Sequence, residues 1–116
     1  ERNLALETLL TAKDRPTAVL VSDDILAMAL EKTCAELGIS IPGDLSIISF
    51  NNSLFARLTY PPLTSVDINS FQLGIEAAAQ MISHIETPDL MATKTIVPHH
   101  IVARESCKAV IGETCV

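Results

Sequence analysis

The chain has 116 residues, 48% of them apolar, and its 8 basic and 14 acidic side chains give a net charge of −6. That length allows one domain or less, and the apolar share is large enough for a core, which excludes general disorder. The longest uninterrupted apolar run, Ile25–Leu30, is far shorter than the roughly 20 residues of a membrane-spanning helix. The chain begins at Glu1 without a leader-like segment, so we expect part of a larger protein and no membrane contact.

The charge pattern argues against a nucleic-acid surface on this chain. Binding to DNA phosphates requires clustered lysine and arginine side chains. The basic residues are scattered here, and their densest stretch, Lys13-Asp14-Arg15, includes an acid. The sequence therefore predicts that this chain does not bind DNA by itself.

Helices and strands alternate along most of the chain. The predicted elements are a helix at Asn3–Ala12, strands at Thr17–Val21 and Leu45–Phe50 with a helix at Ile25–Leu37 between them, a strand at Leu63–Ile68, a helix at Ser70–Ile85 and a strand at Thr95–Ala103. The first two strands are apolar without alternation, which is typical of strands covered on both faces. Pro98 interrupts the last strand and favours a sheet edge or a strand start. This order predicts an α/β fold with a parallel sheet and right-handed crossovers.

Capping residues mark the predicted helix ends. The run Ser22-Asp23-Asp24 supplies N-cap side chains for the second helix, and Gly38 ends it. Asn69 or Ser70 caps the long helix, and Gln72 stands three residues after Asn69, as in a capping box.

Polar residues follow two of the predicted strands and indicate a binding site. Ser22-Asp23-Asp24 comes after the first strand, and Asn51-Asn52-Ser53 comes after the second. Ligands of open parallel α/β sheets bind beyond the carboxyl ends of the strands. Phe50 stands beside the two amides, and its ring suits either the apolar face of a sugar or base or ordinary core packing.

The acidic pair Asp23-Asp24 has two interpretations. Receiver domains carry such a pair at a divalent-metal site, together with a phosphoacceptor aspartate after a later strand. Asn51 stands in that second place, and an amide cannot be phosphorylated. The other interpretation, capping of the following helix by Asp23, is favoured, and a receiver or phosphatase-like enzyme is kept as an alternative.

The sequence offers little support for catalysis, a metal or a cofactor. His84, His99 and His100 do not form a ligand pattern, and no glycine-rich phosphate loop or nucleophile elbow is present. We therefore predict no catalytic residue, no metal site and no cofactor. The odd number of cysteines (Cys34, Cys107 and Cys115) favours a reducing compartment, hence the cytoplasm.

Ordered motifs along the chain resemble the lactose/galactose repressor (LacI/GalR) family of transcriptional regulators. They are Thr17-Ala18-Val19-Leu20-Val21-Ser22-Asp23-Asp24, Leu37-Gly38-Ile39, the runs Ile41–Asn52 and Pro61–Val66, the Leu73-Gly74 pair and Arg104-Glu105-Ser106. The resemblance covers roughly residues 15–106, and Ser49-Phe50-Asn51-Asn52 looks most like the maltose-operon repressors. It implies a three-layer α/β/α parallel sheet of the periplasmic-binding-protein-like type I, present here as a C-terminal fragment of a sugar-binding effector domain.

The resemblance also implies how the chain is divided. Residues 1–64 would belong to the C-terminal subdomain, 65–69 would cross over, 70–94 would hold a helix of the N-terminal subdomain, 95–106 would hold a return strand and 107–116 a tail. Operator DNA would be bound only through a helix-turn-helix that this sequence lacks.

Four residues are the ligand-binding candidates that the resemblance implies: Ser22, Asp23, Phe50 and Asn51. Ser22 stands where relatives usually have asparagine, and Asn51 stands where most have aspartate. An amide carries no charge and both donates and accepts hydrogen bonds. The pocket is therefore expected to suit a neutral sugar rich in hydroxyl groups.

The implied assembly is a homodimer formed through the C-terminal subdomains. Its candidate interface residues are Ala27, Leu54, Phe55 and Leu58. The resemblance thus predicts the ligand-sensing and dimerisation domain of a LacI-type repressor of sugar metabolism, and the motif at residues 49–52 points to maltose. The alternative from another class is a periplasmic sugar-binding transport receptor.

Overall fold

A computed structural model describes residues 4–110 of the chain. Its elements are α1 (Leu4–Thr11), β1 (Ala18–Leu20), α2 (Asp24–Glu36), β2 (Ser46–Phe50), α3 (Leu54–Leu58), β3 (Thr64–Asp67), α4 (Ser70–Glu86) and β4 (His100–Val102). Residues 111–116 of the predicted tail, with Cys115, and the predicted helix start at Asn3 lie outside this range. No helix within 4–110 is both long and apolar enough to cross a membrane.

The four strands form one mixed sheet in the order β1-β2-β3-β4. β1, β2 and β3 run parallel, as predicted. β4 runs antiparallel to β3, with Val66 opposite Ile101, so the predicted parallel sheet becomes mixed at its last strand. The chain continues from β3 through α4 and returns in the opposite direction along the sheet edge. This edge position agrees with Pro98, which lies just before β4 and cannot donate to a neighbouring strand.

The core lies on one face of the sheet, under α1, α2 and α3. Along β2, Ile47 and Ser49 are buried, whereas Ser46, Ile48 and Phe50 are only half-buried. The buried apolar cluster consists of Leu10, Ala27, Leu30, Cys34, Leu45, Ile47, Ala56 and Leu63. The expected cover on both faces is absent within 4–110, where Leu20 of β1 is 63% exposed and α4 buries no residue. Residues 4–110 therefore build two of the three predicted layers.

The ends of α2 follow the predicted capping, whereas the start of α4 does not. The Asp23 carboxylate accepts a hydrogen bond from the Leu26 N–H at 2.8 Å, and Gly38 follows the helix with φ of 70°. Asn69 has a left-handed backbone, and its side chain makes no capping bond. Gln72 donates to Glu76, so the predicted capping box does not form.

α3 is a helix that the sequence patterns do not reveal. Its five residues lie between the strands predicted at Leu45–Phe50 and Leu63–Ile68, where the sequence predicts no helix. A helix of little more than one turn is too short to show an apolar period. Ala56 nevertheless joins the core, and it anchors α3 against α2.

A buried acid lies at this contact between α2 and α3. Glu31 of α2 is 8% exposed, and its Oε1 has no hydrogen-bond partner among the residues described. Burial raises the pKa of Glu31 to about 7, although a hydrogen bond with the Thr59 side chain favours the charged form. Burial and the nearby charge of Glu31 also raise the pKa of the Cys34 thiol, which disfavours the reactive thiolate.

Candidate functional site

The candidate site lies at the carboxyl ends of β1, β2 and β3. Because these strands are parallel, the residues that follow them meet at one edge. Ser22 follows β1, Asn51 follows β2 and Asp67 ends β3. In the strand register, Ser22 is level with Phe50, because Leu20 pairs with Ile48. The structure thus brings Ser22, Phe50 and Asn51 to neighbouring positions.

Asn51 occupies a turn that presents its side chain to the outside. Its φ is 93° and that of Asn52 is 45°, a left-handed backbone that asparagine tolerates better than most residues do. The Asn51 N–H donates to the Val66 carbonyl at 2.9 Å, which fixes the turn to β3. The Asn51 side chain is exposed and makes no hydrogen bond to another described residue. Its amide is therefore available to a ligand.

Asp23 and Asp24, the two acids after β1, have different roles. The structure confirms Asp23 as the N-cap of α2 and leaves its second carboxylate oxygen available. Asp24 turns inward and is 2% exposed. No group of three or more His, Cys, Asp or Glu side chains within residues 4–110 is arranged to hold a metal ion.

Asp24 joins three segments of the chain through hydrogen bonds. Its Oδ1 accepts from the hydroxyls of Ser49 at 2.5 Å and Ser65 at 2.7 Å, and its Oδ2 accepts from the Ser53 N–H at 2.6 Å. Burial opposes the charge on Asp24, but these hydrogen bonds outweigh it and lower the pKa of the carboxyl. Asp24 thus ties β2, β3 and the start of α3 to the β1–α2 turn.

A polar network beside Asn51 was not predicted from the sequence. The Asn52 side chain donates to Asp67 Oδ2 at 2.9 Å and accepts from the Arg104 guanidinium at 2.5 Å. Hydrogen bonds from the Asn52 side chain and the Asn69 N–H lower the pKa of Asp67. Arg104 belongs to the Arg104-Glu105-Ser106 motif, and Asn52 belongs to the polar run Asn51-Asn52-Ser53. No local pattern links Arg104 to residues 52 and 67.

A hollow beside β1 reaches the polar edge only at Ser22. Its volume is about 860 Å³, and it runs beside β1 between α1 and α2, with Leu6, Leu20 and Leu26 in its walls. Of the predicted ligand residues, Ser22 alone lines it. A sugar site needs several polar groups that converge on the ligand, and the carboxyl ends of the strands supply more of these than the hollow does.

The predicted dimer residues fall into two groups. Ala27 is fully buried in the core between α2 and the sheet, so its assignment to a dimer surface is wrong. It belongs to the same buried apolar cluster as Ile47. Leu54, Phe55 and Leu58 remain exposed on α3, where Leu58 is 70% exposed.

Known proteins are similar to this chain in sequence and in fold. The periplasmic binding protein-like domain family matches residues 1–107. The chain belongs to this family. A solved LacI transcriptional regulator from Bacillus cereus subsp. cytotoxis has 34% identity and a TM-score of 0.87, and the match covers 92% of this chain and 38% of that one.

Two further similar proteins are also regulators. The NTD biosynthesis operon regulator NtdR of Bacillus subtilis is 32% identical over 95 residues, which are 81% of this chain and 29% of the relative. A LacI family regulator from Enterococcus faecium with bound ribose has 29% identity and a TM-score of 0.78, covering 90% of this chain and 38% of that one. These relatives confirm the resemblance to LacI-type regulators. The chain spans about a third of the length of the proteins that it matches.

Proposed function

We propose that this chain is the ligand-sensing part of a LacI-type transcriptional repressor and that its effector is a neutral sugar. The observation that carries this proposal is the shared position of Ser22, Phe50 and Asn51 at the carboxyl ends of parallel strands. A hydroxyl, an exposed amide and an aromatic ring match the hydroxyl groups and apolar faces of a sugar. The Enterococcus faecium relative holds ribose, which supports the same ligand class.

The wider roles of the protein follow from its family. We infer that it has no catalytic activity, works in the cytoplasm and binds operator DNA through a helix-turn-helix N-terminal to this chain. The net charge of −6 supports the inference that residues 1–116 do not contact DNA, because DNA phosphates are also negatively charged.

The division of the chain between two subdomains is part of the same proposal. Residues 1–64 belong to one subdomain, 65–69 cross over, and 70–94 lie in the other before the chain returns through 95–106. In support, α4 buries no residue against the core, and its Gln80 side chain donates to Thr95 at 2.5 Å. α4 thus associates with the segment that precedes β4.

The Asn51→Gly variant tests the sugar site. Glycine accepts the φ of 93° at this position, so the variant removes the amide without straining the turn. An unpaired sugar hydroxyl in a closed site costs about 1–3 kcal/mol, and we expect sugar affinity to fall roughly ten- to a hundredfold. Calorimetry on the complete gene product with ribose and with maltose measures this change.

Asn69→Gly is the matched control, because Asn69 also has a left-handed backbone and its side chain caps nothing. This variant should keep the wild-type affinity. Failure of the wild type to bind either sugar would contradict the proposed ligand class. Equal affinities of wild type and Asn51→Gly would remove Asn51 from the site.

We further propose that the exposed apolar side chains of α3, namely Leu54, Phe55 and Leu58, contribute to a homodimer interface. Exposed apolar patches of this kind mark contact surfaces. Leu58→Asp is expected to shift the complete protein from dimer to monomer at micromolar concentration, as measured by sedimentation velocity. Lys13→Asp, an exposed change away from α3, should leave the dimer intact. A dimer that persists in Leu58→Asp would place the interface elsewhere.

A further inference from the structure

Arg104 connects the segment after β4 with the turn after β2. Its backbone N–H donates to Thr64 Oγ1 at 3.0 Å. One guanidinium nitrogen donates to the Leu63 carbonyl at 2.7 Å, and the other donates to Asn52 Oδ1 at 2.5 Å. The planar guanidinium thus joins Leu63, just before β3, to the asparagine turn.

Asn52 is held by two residues of β3 and by Arg104. Its N–H donates to Ser65 Oγ at 3.0 Å, its side-chain nitrogen donates to Asp67, and its side-chain oxygen accepts from Arg104. The neutral amide bridges a cation and an anion, and hydrogen bonds to charged groups are stronger than those between neutral ones. The side chain of Asn52 is therefore committed to structure, whereas that of Asn51 is left available.

The backbone of this turn needs such support. Asn51 and Asn52 are consecutive left-handed residues, and each left-handed residue is disfavoured for a side chain with a Cβ atom. Strain of this kind persists where surrounding contacts fix the conformation. The contacts on Asn52 provide such support here, together with the hydrogen bond from the Asn51 N–H to the Val66 carbonyl.

We propose that Arg104 is a positioning residue for the ligand site. By holding Asn52, it keeps the turn in the conformation that directs the Asn51 amide toward a bound sugar. This inference rests on the proposed sugar site. It also assigns a role to the Arg104-Glu105-Ser106 motif, which no predicted ligand contact explained.

A double-mutant cycle tests the proposal in the complete gene product, with ribose and maltose as calorimetric probes. Arg104→Met keeps much of the side-chain length and removes the guanidinium donors. We expect it to lower sugar affinity about tenfold in the wild-type background. In the Asn51→Gly background the same change should have almost no effect, because the group that Arg104 positions is already absent.

Arg104→Lys is the second variant, since it keeps the charge and can restore one of the two side-chain hydrogen bonds. It should fold even if Arg104→Met does not, and its affinity should lie between those of wild type and Arg104→Met, about threefold below wild type. Equal losses of affinity with and without the Asn51 amide would overturn the positioning role and leave the sugar site standing. A wild-type protein that binds neither sugar would instead overturn the proposed function, and the inference with it.

Discussion

Replacing Asp24 with alanine is expected to lower the free energy of unfolding by about 3–5 kcal/mol. The change leaves the hydroxyls of Ser49 and Ser65 and the N–H of Ser53 without their shared acceptor in the interior. Hydrogen bonds to a charged group are each worth about 1.5–3 kcal/mol, and a buried donor without a partner carries its own penalty. Since domains are stable by only about 5–15 kcal/mol, this loss is a large part of the total stability.

The neighbouring aspartate is the matched control for this prediction. Asp23→Ala removes an N-cap bond at the surface of α2, which costs about 1 kcal/mol. Urea unfolding followed by circular dichroism should therefore show a much larger loss for Asp24→Ala than for Asp23→Ala. Equal losses in the two variants would contradict the central position that we assign to Asp24.

The hydrogen bonds to Asp24 also make the free energy of unfolding depend on pH in the acid range. Its folded-state pKa lies below 3.8, the ordinary value that we take for the unfolded chain. The stabilisation from Asp24 is therefore fully present above about pH 4 and is lost as the pH falls through the folded-state pKa.

Glu31 should produce the opposite dependence on pH. Its pKa is about 7 in the folded protein and 4.5 in an unperturbed glutamate, so the folded state holds the proton more tightly. The contribution of Glu31 to the unfolding free energy is full below pH 4.5 and falls by about 3 kcal/mol as the pH rises through 7. Glu31→Gln cannot titrate, and we expect it to become progressively more stable than wild type between pH 5 and pH 8.

Urea unfolding of both proteins across this pH range measures the difference directly. Titrations that the two proteins share cancel in the subtraction. Glu36→Gln, an exposed change on the same helix, is the control for the loss of one acidic side chain from α2. A pH-independent difference for Glu31→Gln would show that Glu31 is solvated in the folded protein.

Local sequence signals predicted most of the elements in this chain. The apolar runs indicated the three parallel strands, and Asp23 and Gly38 correctly marked the ends of α2. α3 was not predicted because five residues are too few to show the helical period of apolar residues. The capping box at Asn69 failed because the turn after β3 puts that residue in a left-handed conformation that the side-chain pattern does not encode.

The site was predictable where it depends on strand direction and unpredictable where it depends on contacts between distant residues. Ser22, Phe50 and Asn51 share an edge because parallel strands end together, a rule that can be applied to the sequence. The partners of Asp24 and of Asn52 lie 13 to 52 positions away. Their meeting depends on sheet register and on the antiparallel return of β4, and neither has a local signature. The same limit explains why Ala27 was assigned to a surface although α2 turns it inward.

Because the outer strands are short, they offer little backbone for pairing with a strand of another molecule. β1 and β4 each have three residues, and Pro16 and Pro98 each precede their strand by two positions. A long, flat edge recruits strands from other molecules and starts aggregation. Here either edge offers few unpaired backbone groups, and the adjoining proline adds no donor to them. Within residues 4–110, the sheet is thereby protected against growing by addition of further copies at its margins.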